Sequence, residues 1–263
     1  MRRAVLAVLL VSTAAAAFAQ PAQERPRILR DVGYDQRLGE QVPLDLVFRD
    51  ESGRDVPLRS LFRGKPVVLS LVYYECPMLC TLTLNSLQSA LSVLSFDVGR
   101  EFDVITVSFE PKETPALAAA KKKAYLARYR RPGAAEGWHF LTGGAEAIGA
   151  LTGAVGFRYA WDTETRQYAH PAGLVVLTPE GRIARYMYGM EYAPRDLRLA
   201  LVEASQRRIG NPIDTVLLYC YQYDPMRGRY AASVMKLVRL GGVLTVLALG
   251  AFVLVSLRRE RAA

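Results

Sequence analysis

An α/β fold around one mixed sheet is what this sequence predicts, and three observations predict it. Residues 66–74 (PVVLSLVYY) and 102–109 (FDVITVSF) are largely apolar runs, the pattern of strands covered on both faces. Each is followed by a helical pattern: Leu84, Leu87, Leu91 and Leu94 recur after the first, and a stretch over 115–130 follows the second. Later, 173–178 and 183–188 flank the turn Pro179-Glu180-Gly181 and read as a hairpin. At 263 residues and 51% hydrophobic content, the chain buries one sizeable core and leaves little for a second.

The elements follow in order. Residues 44–48 alternate as a short strand, and Glu51-Ser52-Gly53-Arg54 is a turn. The run at 66–74 is the first central strand. A helix over 77–94 succeeds it, with Pro77 suited to the first helical position because its missing N–H would be unpaired there. Residues 102–109 give the second central strand and 115–130 the second helix. Residues 138–141 form a short strand, and Thr142 is placed to cap a helix through Leu151. The hairpin comes next, and a helix over 194–208 closes the domain. This is a thioredoxin-like order, a mixed sheet flanked by helices, assigned to residues 38–209.

Both ends read as membrane-related. Residues 1–19 carry an arginine pair, an apolar stretch and the small-x-small site Ala17-Phe18-Ala19, which together describe a signal peptide. A polar tether spans 20–37. At the other end, 240–257 runs without a charge, long enough for a bilayer core of about 30 Å. The expected organisation is a juxtamembrane segment at 210–236, a transmembrane helix at 237–257 and a cytoplasmic tail at 258–263. The domain is then expected on the periplasmic side of a bacterial cytoplasmic membrane, because an exported domain crosses largely regardless of its charge.

The net charge of +9 falls once the ends are set aside. Without five terminal arginines and Glu260, 29 basic residues face 24 acidic ones, an excess of +5. That suits a protein near an anionic membrane and gives no reason to invoke nucleic acid. The run Lys121-Lys122-Lys123 reads as a solvated helix face.

The chemistry centres on Cys76-Pro77-Met78-Leu79-Cys80, where the first central strand hands over to its helix. Positions i and i+4 share a helix face, so the two thiols can hold one soft metal ion or close into a disulfide. Helix N-terminal amides favour thiolate, which predicts lowered thiol pKa values. Thioredoxin-type dithiol catalysts have two intervening residues where this chain has three. A two-thiolate metal site needs a third ligand, and the chain has two histidines. His170, in a loop before the hairpin, is expected beside the cysteine-bearing helix end; His139, within a short apolar strand, reads as a packed side chain. Copper binding through Cys76, Cys80 and His170, a thiol-disulfide oxidoreductase using Cys76 and Cys80, and a peroxide sensor all remain open at this point. Cys220, in an aromatic stretch before the expected span, reads as a buried small apolar residue, and Met78 as space-filling.

The segments YYECPMLC, GWHFLTG and YAHPAGLVVLTPEGRIARYMYG, in this order and spacing, resemble the Sco/SenC family of copper-handling proteins over residues 36–209. The resemblance implies a thioredoxin-like fold with Cys76, Cys80 and His170 as copper ligands. It implies a metallochaperone with no turnover of its own, whose partner is the copper-accepting subunit of cytochrome c oxidase. The chain departs from the family pattern at Thr81, where many members have proline. It departs also at Ala169, often aspartate, and at Glu110-Pro111, commonly an aspartate-proline pair. None removes a ligand, and Glu110 is the candidate for a supporting role.

Overall fold

A computed structural model describes residues 31–76 and 79–209, with further short stretches at 223–224, 229–230, 241–247, 249–251 and 258. In chain order the domain contains β1 (Gly33–Tyr34), β2 (Val47–Arg49), β3 (Asp55–Pro57), β4 (Val67–Val72), α1 (Leu79–Val93) and β5 (Asp103–Ser108). Then come α2 (Pro115–Tyr129), α3 (Ala134–Gly137), β6 (Trp138–Leu141), α4 (Ala145–Ala154) and β7 (Phe157–Arg158). The last elements are β8 (Ala160–Asp162), β9 (Gln167–Ala169), β10 (Gly173–Leu177), β11 (Ile183–Tyr188) and α5 (Pro194–Ser205).

The central sheet has the order β11-β10-β4-β5-β6. β4, β5 and β6 run parallel, while β10 is antiparallel to both β4 and β11, so the sheet is mixed as expected. Every residue of β4 and β5 is buried, which is why those runs lack alternation. α1 presses Cys80, Thr83, Leu84, Leu87, Ala90 and Leu91 into the core, a three-and-four spacing that defines one helix face. Each fully buried leucine there contributes about 1.5–3 kcal/mol. α2 starts at Pro115 behind Thr114, whose hydroxyl accepts the Leu117 N–H at 3.4 Å.

Three local expectations change. Thr142 caps no helix, because its backbone bonds to Arg49 at 2.7 and 2.9 Å and stays extended; Gly144 occupies the cap of α4. The fold begins inside the stretch read as tether: Gly33 and Tyr34 pair with Arg158 and Phe157, and Tyr34 is buried. That pairing needs Gly156, where a Cβ would lie 1.9 Å from the Asp35 carbonyl oxygen and φ is +64°. The β8–β9 hairpin, absent from the sequence reading, delivers the chain to His170.

The C-terminal transmembrane helix is the larger correction. Among the described residues, no helix is long and apolar enough to cross a membrane. The stretch 1–19 expected to be a signal peptide, and Pro77, Met78 and Cys220, lie outside the described residues.

Candidate metal centre

The centre forms where β4 ends and α1 begins. Tyr74 anchors the intervening loop, its hydroxyl donating to the Leu141 and Thr106 carbonyls at 2.8 and 3.2 Å. The Cys76 N–H turns back to the Tyr73 carbonyl at 3.3 Å, which bends the chain into the helix. Each sulfur then accepts a backbone N–H: Cys80 N–H donates to Cys76 Sγ, and Tyr73 N–H to Cys80 Sγ, both at 3.3 Å. No disulfide joins the two cysteines.

His170 arrives from the other side of β4. Because β10 pairs antiparallel with β4, the residues before Gly173 return to the end where β4 stops. His170 Nε2 lies 3.2 Å from Cys80 Sγ, and Nδ1 lies 3.1 Å from the Pro171 carbonyl oxygen. A carbonyl only accepts, so Nδ1 carries a proton, and in the neutral ring that leaves the lone pair on Nε2, toward the sulfur. That is the orientation metal-binding histidines adopt. The ring is boxed by Phe109 at 5.2 Å, Tyr73 at 5.9 Å and Phe157 at 6.4 Å between centroids. The donor atoms of Cys76, Cys80 and His170 all lie within 4.8 Å of one another, and all three residues are buried.

Burial decides the electrostatics. It pushes the Cys80 thiol far above its ordinary pKa, reinforced by the hydrogen bond with Cys76 and only partly offset by the Tyr73 N–H. The lowering expected from the helix terminus is therefore overturned by desolvation. Burial likewise raises the Tyr73 hydroxyl, which also hydrogen-bonds with Cys76. Cys80 thus rests as the thiol, and a cation binding its sulfur must release that proton. Two thiolates and one imidazole form a soft donor set suited to Cu(I).

The structure brings all three predicted ligands together and leaves His139 apart, on β6 opposite Ile105. Glu110 touches no ligand. It accepts from Tyr168, whose hydroxyl is pushed up to about 12 by burial and then by this carboxylate, and Tyr168 stacks edge-on against Tyr73 and Phe109. Thr81 donates its hydroxyl to the Cys76 carbonyl at 3.4 Å. Sequence reasoning missed Glu113. Its buried carboxylate accepts the Tyr74 and Glu75 N–H groups, each at 2.7 Å, and the Ser108 hydroxyl at 2.5 Å. No spacing rule singles out an acid before a helix cap as the holder of a loop some forty residues upstream.

A thioredoxin-like domain with a buried two-cysteine, one-histidine centre at a strand-to-helix junction is the class that fold and site define. The chain belongs to the SCO1/SenC family, whose model matches residues 36–204. Two solved structures from Aquifex aeolicus VF5, one named for electron transfer and one for electron transport, are each 31% identical to this chain. They cover 65% of it with 96% and 100% of their own length matched, at TM-scores of 0.58 and 0.54. The structure of Arabidopsis thaliana ScoI with copper bound shares the fold at 19% identity and TM-score 0.50, covering 62% of this chain and 96% of that one. Among curated proteins, none matches.

Proposed function

We propose that this protein is a copper-binding metallochaperone that assists assembly of the copper centre of cytochrome c oxidase. Cys76 and Cys80 supply thiolates, His170 supplies an imidazole, and the ion passes to the copper-accepting oxidase subunit by exchange of ligands. One observation carries the reading: an imidazole nitrogen lies 3.2 Å from Cys80 Sγ, in a buried triad already within 4.8 Å. Family membership supports the same reading. We place the domain on the outer side of the bacterial cytoplasmic membrane, the destination implied by the leader read at 1–19.

A thiol-disulfide oxidoreductase is not favoured. Its attacking thiol must meet a partner disulfide, and Cys76 is only 7% exposed. Metal analysis of the full chain, purified with reductant and copper and then desalted against a chelator, tests the proposal. About one copper per chain is expected, lost in each of Cys76→Ser, Cys80→Ser and His170→Ala. Full copper retention in His170→Ala overturns the three-ligand centre.

A further inference from the structure

The turn that presents Cys76 is held by a carboxylate from the neighbouring strand's loop. Glu113 lies just before the Thr114 cap of α2 and reaches across to two consecutive amides of the β4–α1 loop, Tyr74 and Glu75. Its oxygens divide the work: Oε1 takes Glu75 alone, while Oε2 takes Tyr74 and the Ser108 hydroxyl. Ser108 is the last residue of β5, and its hydroxyl oxygen also accepts the Glu110 N–H at 3.1 Å. The clamp thus ties the end of β5, the turn before α2 and the loop before Cys76 into one unit.

Only a carboxylate satisfies this arrangement. Three donors converge, and an ionised carboxylate is the side chain that accepts at every position. A glutamine would turn an NH₂ group toward one of them and leave a buried donor facing a donor, a costly mismatch. The loop has no other means of fixing those two amides, since β4 has ended and α1 has not begun.

We propose that Glu113 is the positioning residue of the metal centre. By bonding the amides of the two residues before Cys76, it sets where Cys76 Sγ stands relative to Cys80 Sγ and His170 Nε2. It touches no ligand sulfur or nitrogen and acts through the backbone. Its consequence for copper rests on the function proposed above, whereas its hold on the loop does not.

The experiment therefore has two arms on the full chain, comparing wild type, Glu113→Gln and Glu113→Asp. In the metal-free arm, hydrogen exchange is read at the Tyr74 and Glu75 amides, with the Ile105 and Thr106 amides of β5 as internal reference. Glu113→Gln is expected to speed exchange at the loop amides by about 10-fold or more with β5 unchanged, while Glu113→Asp, one methylene shorter, gives a smaller increase. Unchanged loop exchange, or equal acceleration in loop and β5, overturns the proposal. If Glu113→Gln does not fold, Glu113→Asp decides on the same criterion.

In the second arm, copper transfer to a chelator is timed. Glu113→Gln is expected to release copper about 10–100-fold faster than wild type, with part of the retention restored in Glu113→Asp. Equal release rates overturn the proposal. A wild type that holds no copper instead sinks the copper reading, and the exchange arm still decides the role of Glu113.

Discussion

His170 has both ring nitrogens engaged, Nδ1 with the Pro171 carbonyl and Nε2 with Cys80 Sγ, whereas the buried Nε2 of His139 has no partner. Both rings belong to the same sheet system and both have apolar neighbours in sequence. Position along the strands separates them. His139 pairs with Ile105, which pairs with Leu69, three residues short of the end of β4. Its surroundings are charged: burial and then Lys122 lower its pKa, and Lys122 is itself ion-paired with Glu51. His170 instead precedes a strand that runs antiparallel to β4, so it must return to the point where β4 gives way to α1. Topology brings His170 to the two cysteines, because open α/β sheets gather functional groups beyond the carboxyl ends of their parallel strands.

The strongest way to break this contrast is to remove each ring in turn. His170→Ala should weaken copper affinity by about 100-fold or more, while His139→Ala stays within about 3-fold, measured by competition with a chelator. Equal losses in both variants would dissolve the distinction.

The aromatic box gives the next largest effect. Phe109 is fully buried and lies 5.2 Å from His170, so Phe109→Ala should cost about 3–5 kcal/mol in urea unfolding. Trp161, half exposed at the far edge of the same aromatic cluster, should cost under about 1 kcal/mol as Trp161→Ala.

pH sharpens the comparison further, since the two regions carry opposite signs. Burial raises the folded-state pKa of Cys80, so the metal-free fold keeps that contribution below about pH 8.5, where a free thiol ionises, and loses it as pH rises. His139 is lowered by burial, so its contribution is complete above about pH 6.5 and is lost as pH falls. Urea midpoints against pH should therefore show an alkaline decline flattened by Cys80→Ser and an acid decline flattened by His139→Gln. Unflattened limbs would assign those slopes to other groups. The smallest effect belongs to Ser70, whose buried hydroxyl is unpartnered in the middle of β4. Ser70→Ala should leave stability unchanged or raise it by up to about 1 kcal/mol.

Much of this was legible in the chain. The central strands announced themselves because burial on both faces removes alternation, and α1 did so through the spacing of Leu84, Leu87 and Leu91. The convergence of Cys76, Cys80 and His170 was legible because thiols at i and i+4 share a face and a loop histidine precedes the returning strand. What escaped depends on contacts between distant segments. Glu113 bonds backbone amides thirty-eight and thirty-nine residues upstream, and a backbone acceptor leaves no mark in the sequence of the loop it holds. The rise of the Cys80 thiol pKa runs against the local expectation because helix-terminus electrostatics can be read locally, whereas desolvation depends on how the fold closes over the site. Tyr34 was hidden for the same reason: its partner strand, β7, lies over a hundred residues away.

The central claim is that two sulfurs and one imidazole nitrogen bind a single copper ion. X-ray absorption of the full chain loaded with Cu(I), beside His170→Ala, tests it most directly. Two sulfur scatterers at about 2.2–2.3 Å and one nitrogen at about 2.0 Å are expected in the wild type, with the nitrogen gone from the variant. An identical nitrogen shell in both proteins would contradict it.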